Sequence, residues 1–386
     1  MEGARRGAAA FAKAPAGQGD DADKTMTPTT MKRIAEELGV SVTTVSKVLN
    51  EQPDIGPVTR ARVLAKVKEL GYRPNAVARS LSLRRTHTLG VIIPDLMHSF
   101  FVEIVAGIES VMSAQGYGLL LCSSGEDPRK ERSELEMLRA RQVDGIVLAS
   151  AHVSGNTDVL KKIAALGCAL VMIDRDDHPR VACHRVLTDD LAVGRLATEH
   201  LLAHGRRRIA HIGGPPIVHA KRREEGYVSA LKAAGVTPDP DLIQRAGFME
   251  ADGYRAMRQL LMLEPAVDAV FAANDPAALG AMRAIWEGGL RVPQDVAVVG
   301  AGDVAHGDLL RVPLTTVAWS KEELGRRAAE LLLEQMGPLP RGPFRRVVIP
   351  PSLVVRESSG GPVTSRPLPA PSGSRKLGTM KTHANH

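Results

Sequence analysis

The feature that most constrains this chain is an alternation running from residue 88 to residue 356. Short apolar runs recur at Leu89–Ile93, Leu119–Cys122, Gly145–Ala149, Ala169–Ile173, Ile209–Ile212, Ala269–Ala272 and Val296–Val299. Each is too short for a buried helix and lacks the polar alternation of a half-exposed strand, so each reads as a strand covered on both faces. Amphipathic stretches lie between them, among them Phe100–Gln115, Pro128–Arg141, Leu191–His204, Arg223–Ala234 and Pro276–Glu287. Strand, helix, strand in repetition is a doubly wound parallel sheet, with ligands expected at the carboxyl ends of the strands. The strands are too many for one ordinary sheet, so two such subdomains are expected.

Enzyme motifs are missing from this pattern. There is no GxxxxGK[ST], no GxGxxG after a strand, no GxSxG and no HExxH. Gly213-Gly214-Pro215-Pro216 follows a strand, but two prolines remove amide donors that a phosphate needs, so a strand-closing turn is the better reading. The twelve histidines lack ligand spacing, and Cys122, Cys168 and Cys183 are never spaced as CxxC. No catalytic role, metal or cofactor is therefore expected. Scarce cysteine, no apolar run near a membrane span and no secretory apolar core in residues 1–26 together point to the cytoplasm.

Charge separates a second module. Residues 27–87 hold eleven Lys/Arg against five acids, net +6, while 88–356 is left at −2 of the chain's +7. Residues 1–26 are neutral and 357–386 are net +3; both read as disordered extensions, and Met26 is an alternative start. A basic head on a slightly acidic body is the footprint of a nucleic-acid-binding module on a separate sensor. Within the head, Ile34, Ala35 and Leu38 share one helical face, Gly39 permits a turn, and Ser41 can cap a helix from Val42 to Asn50. That helix turns Val45, Val48 and Leu49 inward and shows Thr43, Thr44, Ser46 and Lys47 outward. A third helix near Pro57 carries the stripe Val63, Leu64, Val67 and Leu70 and ends at Gly71. Two short helices about a glycine turn make a helix-turn-helix, whose hydroxyls and ammonium suit phosphates and base edges.

The letters go further than the pattern. The run Ile34-Ala35-Glu36-Glu37-Leu38-Gly39-Val40-Ser41-Val42-Thr43-Thr44-Val45-Ser46-Lys47-Val48-Leu49-Asn50 resembles the headpiece of the lac repressor/galactose repressor family. So does Glu69-Leu70-Gly71-Tyr72-Arg73-Pro74-Asn75-Ala76-Val77-Ala78-Arg79-Ser80-Leu81. The resemblance continues to about residue 356, through Thr88–Asp95, Val143–Ile146, Arg208–Gly214, Phe271–Asp275 and Pro313–Val317. It implies an all-α helix-turn-helix headpiece plus an α/β, periplasmic-binding-protein-like sensor of two doubly wound subdomains. The implied segments are an extension 1–26, a headpiece 27–73, a hinge helix and linker 74–87, a sensor 88–356 and a tail 357–386. The sensor divides into an N-subdomain (88–187 and 318–345) and a C-subdomain (188–317 and 346–356), with crossings near 187, 317 and 346.

By the same resemblance the protein is a homodimeric repressor of a pseudopalindromic operator, controlled by a small-molecule effector, a sugar or sugar derivative. Val42, Thr43 and Lys47 would read bases, with Ser41, Thr44, Ser46 and Asn50 beside them. Asn75, Ala78 and Arg79 would touch the minor groove or backbone, and Leu81 would wedge open a base step. The tail lacks the leucine repeat that makes the lac repressor a tetramer, so a dimer is expected. Effector candidates are Phe100, Phe101, Asp174, Arg175, Arg223, Phe248, Asn274 and Asp275: rings for an apolar sugar face, forked polar groups for hydroxyls. One departure stands out. In Val299-Gly300-Ala301-Gly302-Asp303 the family's usual ligand carboxylate falls on Gly302, with Asp303 as a candidate substitute. That departure favours a bulkier, acidic or phosphorylated ligand over a neutral hexose. Control by a partner protein is the alternative, and a solute-binding receptor is a further one.

Overall fold

The computed structural model describes residues 30–72, 80, 85–97, 99–151, 155–175, 178–337 and 342–360. The chain divides into two units, Met1–Ser82 and Leu83–His386. The expected Asn75, Ala78, Arg79 and Leu81 lie outside the described residues.

In the first unit three helices enclose one small core. Helix α1 (Met31–Leu38) starts on a Thr30 cap and stops at Gly39, which sits at φ +64°. Helix α2 (Val42–Leu49) starts on Ser41, whose hydroxyl accepts the Thr44 N–H at 3.0 Å. Helix α3 (Pro57–Glu69) begins with a proline in its first turn, where no N–H is needed. Ile34, Ala35, Val45, Val48 and Val63 are the buried centre. Leu64, expected on the inward stripe, is 48% exposed. Val67 and Leu70 instead pack beside Val63 at the edge of the core.

The second unit holds two six-stranded sheets. The first contains β1 (Thr88–Ile93), β2 (Gly118–Ser123), β3 (Gly145–Leu148), β4 (Ala169–Ile173), β5 (His184–Thr188) and β11 (Arg346–Ile349), ordered β11-β5-β4-β3-β1-β2. The second contains β6 (Ile209–Gly213), β7 (Ile243–Arg245), β8 (Ala269–Ala272), β9 (Ala297–Ala301), β10 (Thr315–Ala318) and β12 (Ser352–Val354), ordered β12-β10-β9-β8-β6-β7. All pairings are parallel except β10 with β12. The central strands are buried along their whole length, as unbroken apolar runs require.

The chain leaves one sheet for the other at residue 189, at 319–320 and at 350–351. The last crossing corrects the sequence expectation of 346. Arg346–Ile349 pairs in parallel with β5 and so belongs to the first lobe. Pro350-Pro351 then ends that ladder, since neither residue can donate to it. The expected tail boundary also moves. Glu357–Ser359 forms a short 3-10 turn with Ser358 and Ser359 buried, tied to Thr315 through Ser358 Oγ at 2.8 Å and Ser359 Oγ at 2.7 Å.

Three helix pairs cover the sheets, and each closes on glycine. Helix α4 (Ser99–Met112) meets α11 (Lys321–Met336), where a Cβ on Gly107 would lie 2.2 Å from Glu322 O and one on Gly325 2.0 Å from Ile104 O. Helix α7 (Asp190–Ala203) meets α8 (Val218–Ala233) through Gly194 and Gly226 in the same reciprocal way. Helix α9 (Glu250–Leu260) meets α10 (Asp275–Glu287) through Gly253 and Gly280. The remaining described helices, α5 (Pro128–Ala140) and α6 (Thr157–Ala165), cover the other face of the first sheet. No described helix is long and apolar enough to cross a membrane.

Gly325→Ala should lower stability by about 1–3 kcal/mol, because the clashing atom is backbone and cannot rotate away; the urea midpoint measures it. A second outcome concerns His211, fully buried between Tyr227 and Phe271, whose pKa burial pushes down to about 4. The folded form resists protonation, so this histidine's contribution is complete above the unfolded pKa of ~6.5 and is lost as pH falls towards 4. His211→Phe should flatten that part of the pH–stability curve.

Candidate functional site

Between the two lobes of the second unit lies a cavity of about 370 Å³. That is the size of a small-ligand pocket. Of the residues expected there, Phe100, Phe101, Asp174, Arg175, Arg223, Phe248, Asn274 and Asp275 all line it. Asp303 does not. Its carboxylate turns to Arg356 Nη2 at 2.8 Å, and Gly302 is the residue facing the cavity.

The apolar walls come from both lobes. Phe100 and Phe101, in the first turn of α4, meet edge to face with centroids 5.0 Å apart. Phe100 also meets Trp319 at 5.7 Å, and Trp319 belongs to the second crossing. Phe248 stacks on His219 at 5.2 Å. Gly214 makes that wall possible, since a Cβ there would strike the Phe248 ring.

The polar groups are mostly engaged with one another. Helix α8 begins at Val218, five residues before the expected start, which puts Arg223 on its buried face. Arg223 bonds Asp190 through Nε at 2.9 Å and Nη2 at 2.8 Å, gives Nη1 to Ala273 O at 2.6 Å, and lies 5.1 Å over the Trp319 ring. Burial pushes the Asp190 carboxyl up to about 6 against the pull of that guanidinium. Asn274 caps α10 by accepting the Ala277 N–H and donates to Phe248 O at 2.8 Å, so it positions the aromatic wall. Asp275 accepts from Thr316 Oγ1 and from the Val304 N–H, each at 2.7 Å, and burial raises its carboxyl to about 6. Arg175 grips Glu126 with both Nη atoms at 2.8 and 2.7 Å.

Several lining residues escaped sequence reasoning: Trp319, Lys321, His219, Glu126 and Asp252. Lys321 left a signal. It follows the Ser320 cap at the positive end of α11, where a cation is disfavoured unless compensated. The compensation is visible: Glu103 at 3.1 Å, Gly302 O at 2.9 Å and Asp303 O at 2.7 Å. Those carbonyls belong to the opposite lobe, so Lys321 ties the lobes together.

The second candidate surface is the outer face of α2. Val42 is 42% exposed although apolar, and Thr43 is exposed beside it. Ser41 and Thr44 bond each other and the helix start, and Asn50 reaches Ser46 at 3.4 Å. Lys47 pairs with Asp54, a partner the sequence pattern did not suggest.

Both units have counterparts among known proteins. A family model described as bacterial regulatory proteins, lacI family, matches residues 30–75. A model described as a periplasmic binding protein-like domain matches residues 198–359. The HTH-type transcriptional repressor PurR of Haemophilus influenzae (strain PittEE) is 36% identical over 333 residues, covering 85% of this chain and 98% of that protein. The chain belongs to the lacI family. This lacI-family chain is therefore a DNA-binding transcription regulator: the helical unit is its head and the two-lobed unit its sensor. Among solved structures, the lac repressor dimer bound to operator and the anti-inducer ONPF aligns with a TM-score of 0.75 at 29% identity, over 86% of this chain and 99% of that one. A complex of the transcriptional regulator CelR with cellobiose aligns at 0.66 and 34%, with the same coverage.

The regulator's buried Asp190–Arg223 pair yields a test. Asp190→Ala strands a buried guanidinium and should cost about 3–5 kcal/mol, whereas Asp190→Leu with Arg223→Met should cost far less than the two single changes summed. Urea unfolding of the four variants measures the coupling.

Proposed function

We propose that this regulator is a homodimeric repressor whose hold on a pseudopalindromic operator is set by a small molecule in the cleft. Two heads bind two half-sites. Val42 and Thr43 contact base edges, Val42 suiting a thymine methyl, while Lys47 reaches a base or phosphate. Ser41, Thr44, Ser46 and Asn50 hold the helix start and end against the backbone. Asn75, Ala78, Arg79 and Leu81 carry over from the family motif as hinge contacts, with Leu81 as the central wedge. The protein works in the cytoplasm, without catalysis and without a cofactor.

The observation that carries the DNA reading is the outer face of α2. An apolar valine and a threonine stand exposed beside a lysine, on a helix whose inner face is locked by Val45 and Val48. The effector reading rests on the cavity between lobes with rings on both sides, and a similar regulator, CelR, is known with cellobiose bound. Closure around a ligand changes operator affinity by the ligand's difference in affinity for the two states.

Gel-shift titration on a symmetric operator tests the reading. Lys47→Ala should weaken binding roughly tenfold and reduce the salt slope by about one. Asp54→Asn releases Lys47 from its ion pair and should strengthen binding. Unchanged affinity in both variants would contradict the placement of α2 on DNA.

A further inference from the structure

Arg85, Thr86 and His87 lead into β1, and the first lobe holds every one of them. Asp144, in the turn before β3, accepts the Thr86 N–H on Oδ1 at 2.8 Å and the His87 N–H on Oδ2 at 3.0 Å. The Thr86 hydroxyl lies 3.0 Å from the same Oδ1 and 3.1 Å from Gln142 O. His87 O accepts the Gly118 N–H at the start of β2, at 2.9 Å. Arg85 donates Nη2 to Met336 O at 2.6 Å, one of the carbonyls that the last turn of α11 leaves without a helical partner.

Strand pairing does not require these bonds. The ladders to β2 and β3 begin at Thr88 and Leu89, so residues 85–87 lie outside them. A half-buried carboxylate that gathers donors from two successive residues is a charge-assisted grip on the chain. His87 is also turned into the left-handed region, at φ +48°, with its ring 5.1 Å from that of Tyr117. Such a backbone persists only where its surroundings fix it, and it sets the direction in which the chain departs from β1 towards Arg85. The clasp sits at the amino ends of β1 and β3. Past their carboxyl ends come Asp95 and Ala151, which line the cavity. Helix α11 joins the same two places, with Lys321 on the cavity and Met336 on Arg85.

Resting on the DNA reading above, we propose that Asp144 is a positioning residue for operator binding: it clasps residues 86 and 87 to the first lobe, with Met336 O holding Arg85, so that the orientation of the lobes in the dimer sets the distance between the two heads. A head on a clasped root reaches its half-site only at a matching separation. Without the clasp the same head hangs on a longer and looser tether. Its effective concentration at the best site falls, and the separation of the half-sites matters less. Asp144 is no part of the cavity lining, so this role is separate from ligand binding.

The experiment is fluorescence-anisotropy titration of the full-length protein with symmetric duplexes. Their half-sites are selected by the parent protein from random duplexes, then separated by one further base pair at a time. The parent should prefer one separation over its neighbours by at least roughly tenfold. Asp144→Ala should narrow that preference to roughly threefold, chiefly by weakening the best duplex. Thr86→Val keeps the side chain's shape, and Arg85→Ala alters an exposed residue and leaves Asp144 in place. Each removes part of the clasp and should narrow the preference in the same direction, so the two carry the test if Asp144→Ala fails to fold. Loss of the Arg85 charge weakens every duplex alike, which makes the ratio between separations the quantity to read. An unchanged preference in the variants, or an equal loss at every separation, would overturn the clasp and leave the DNA reading standing. A parent protein that selects no half-site would contradict both.

Discussion

Close approach of backbone to backbone is the constraint on which the cleft depends. Three helix pairs cross where two glycines face each other, at Gly107 with Gly325, Gly194 with Gly226 and Gly253 with Gly280. Each crossing seats part of the site at or near its helix starts. The first brings Glu103 to Lys321, the second Asp190 to Arg223, and the third sets Asp252 and Asp275 on one wall. A side chain at any crossing would push the helices apart, and charged groups that need contact distances of 3 Å would lose them. The glycines therefore determine electrostatics that lie several residues away.

Charge in this chain is arranged by position. The global excess of +7 describes no part of the molecule. The head carries the positive charge, though Arg33, Lys66 and Lys47 are all paired with acids on their own unit. Such exposed pairs are weak and exchange readily for phosphate oxygens. The cleft is the opposite case. Its cations are buried and its pairs fixed, so they shape the pocket and hold the lobes. Lys321 shows the principle most clearly, sitting at the wrong end of a helix dipole because two carbonyls of the other lobe and Glu103 need it there.

Much of the fold was legible in the letters. Fully buried parallel strands such as Ala269–Ala272 announce themselves as unbroken apolar runs, and the second head helix by its cap at Ser41. Strands at sheet edges were harder. Arg346–Ile349 is largely exposed and reads as mixed polarity, so its place in the first lobe emerged only from its pairing with β5. In the site, residue types were readable but their engagements were not. Arg223, Asn274 and Asp275 line the cavity as expected, yet each has its polar atoms committed to protein partners far away in sequence. Asp303 failed because Arg356, 53 residues on, claims its carboxylate. Leu64 failed because a helical stripe is wider than the core it covers.

On the proposed function, the cleft and the head are two sites of one linked equilibrium. Linkage makes the coupling reciprocal: whatever factor an effector imposes on operator affinity, operator must impose on effector affinity. The most direct measurement is therefore the dissociation constant of the preferred sugar, determined by calorimetry with and without saturating operator duplex. Their ratio should equal the ratio of operator affinities measured with and without that sugar. Identical sugar affinities in the presence and absence of operator would contradict it.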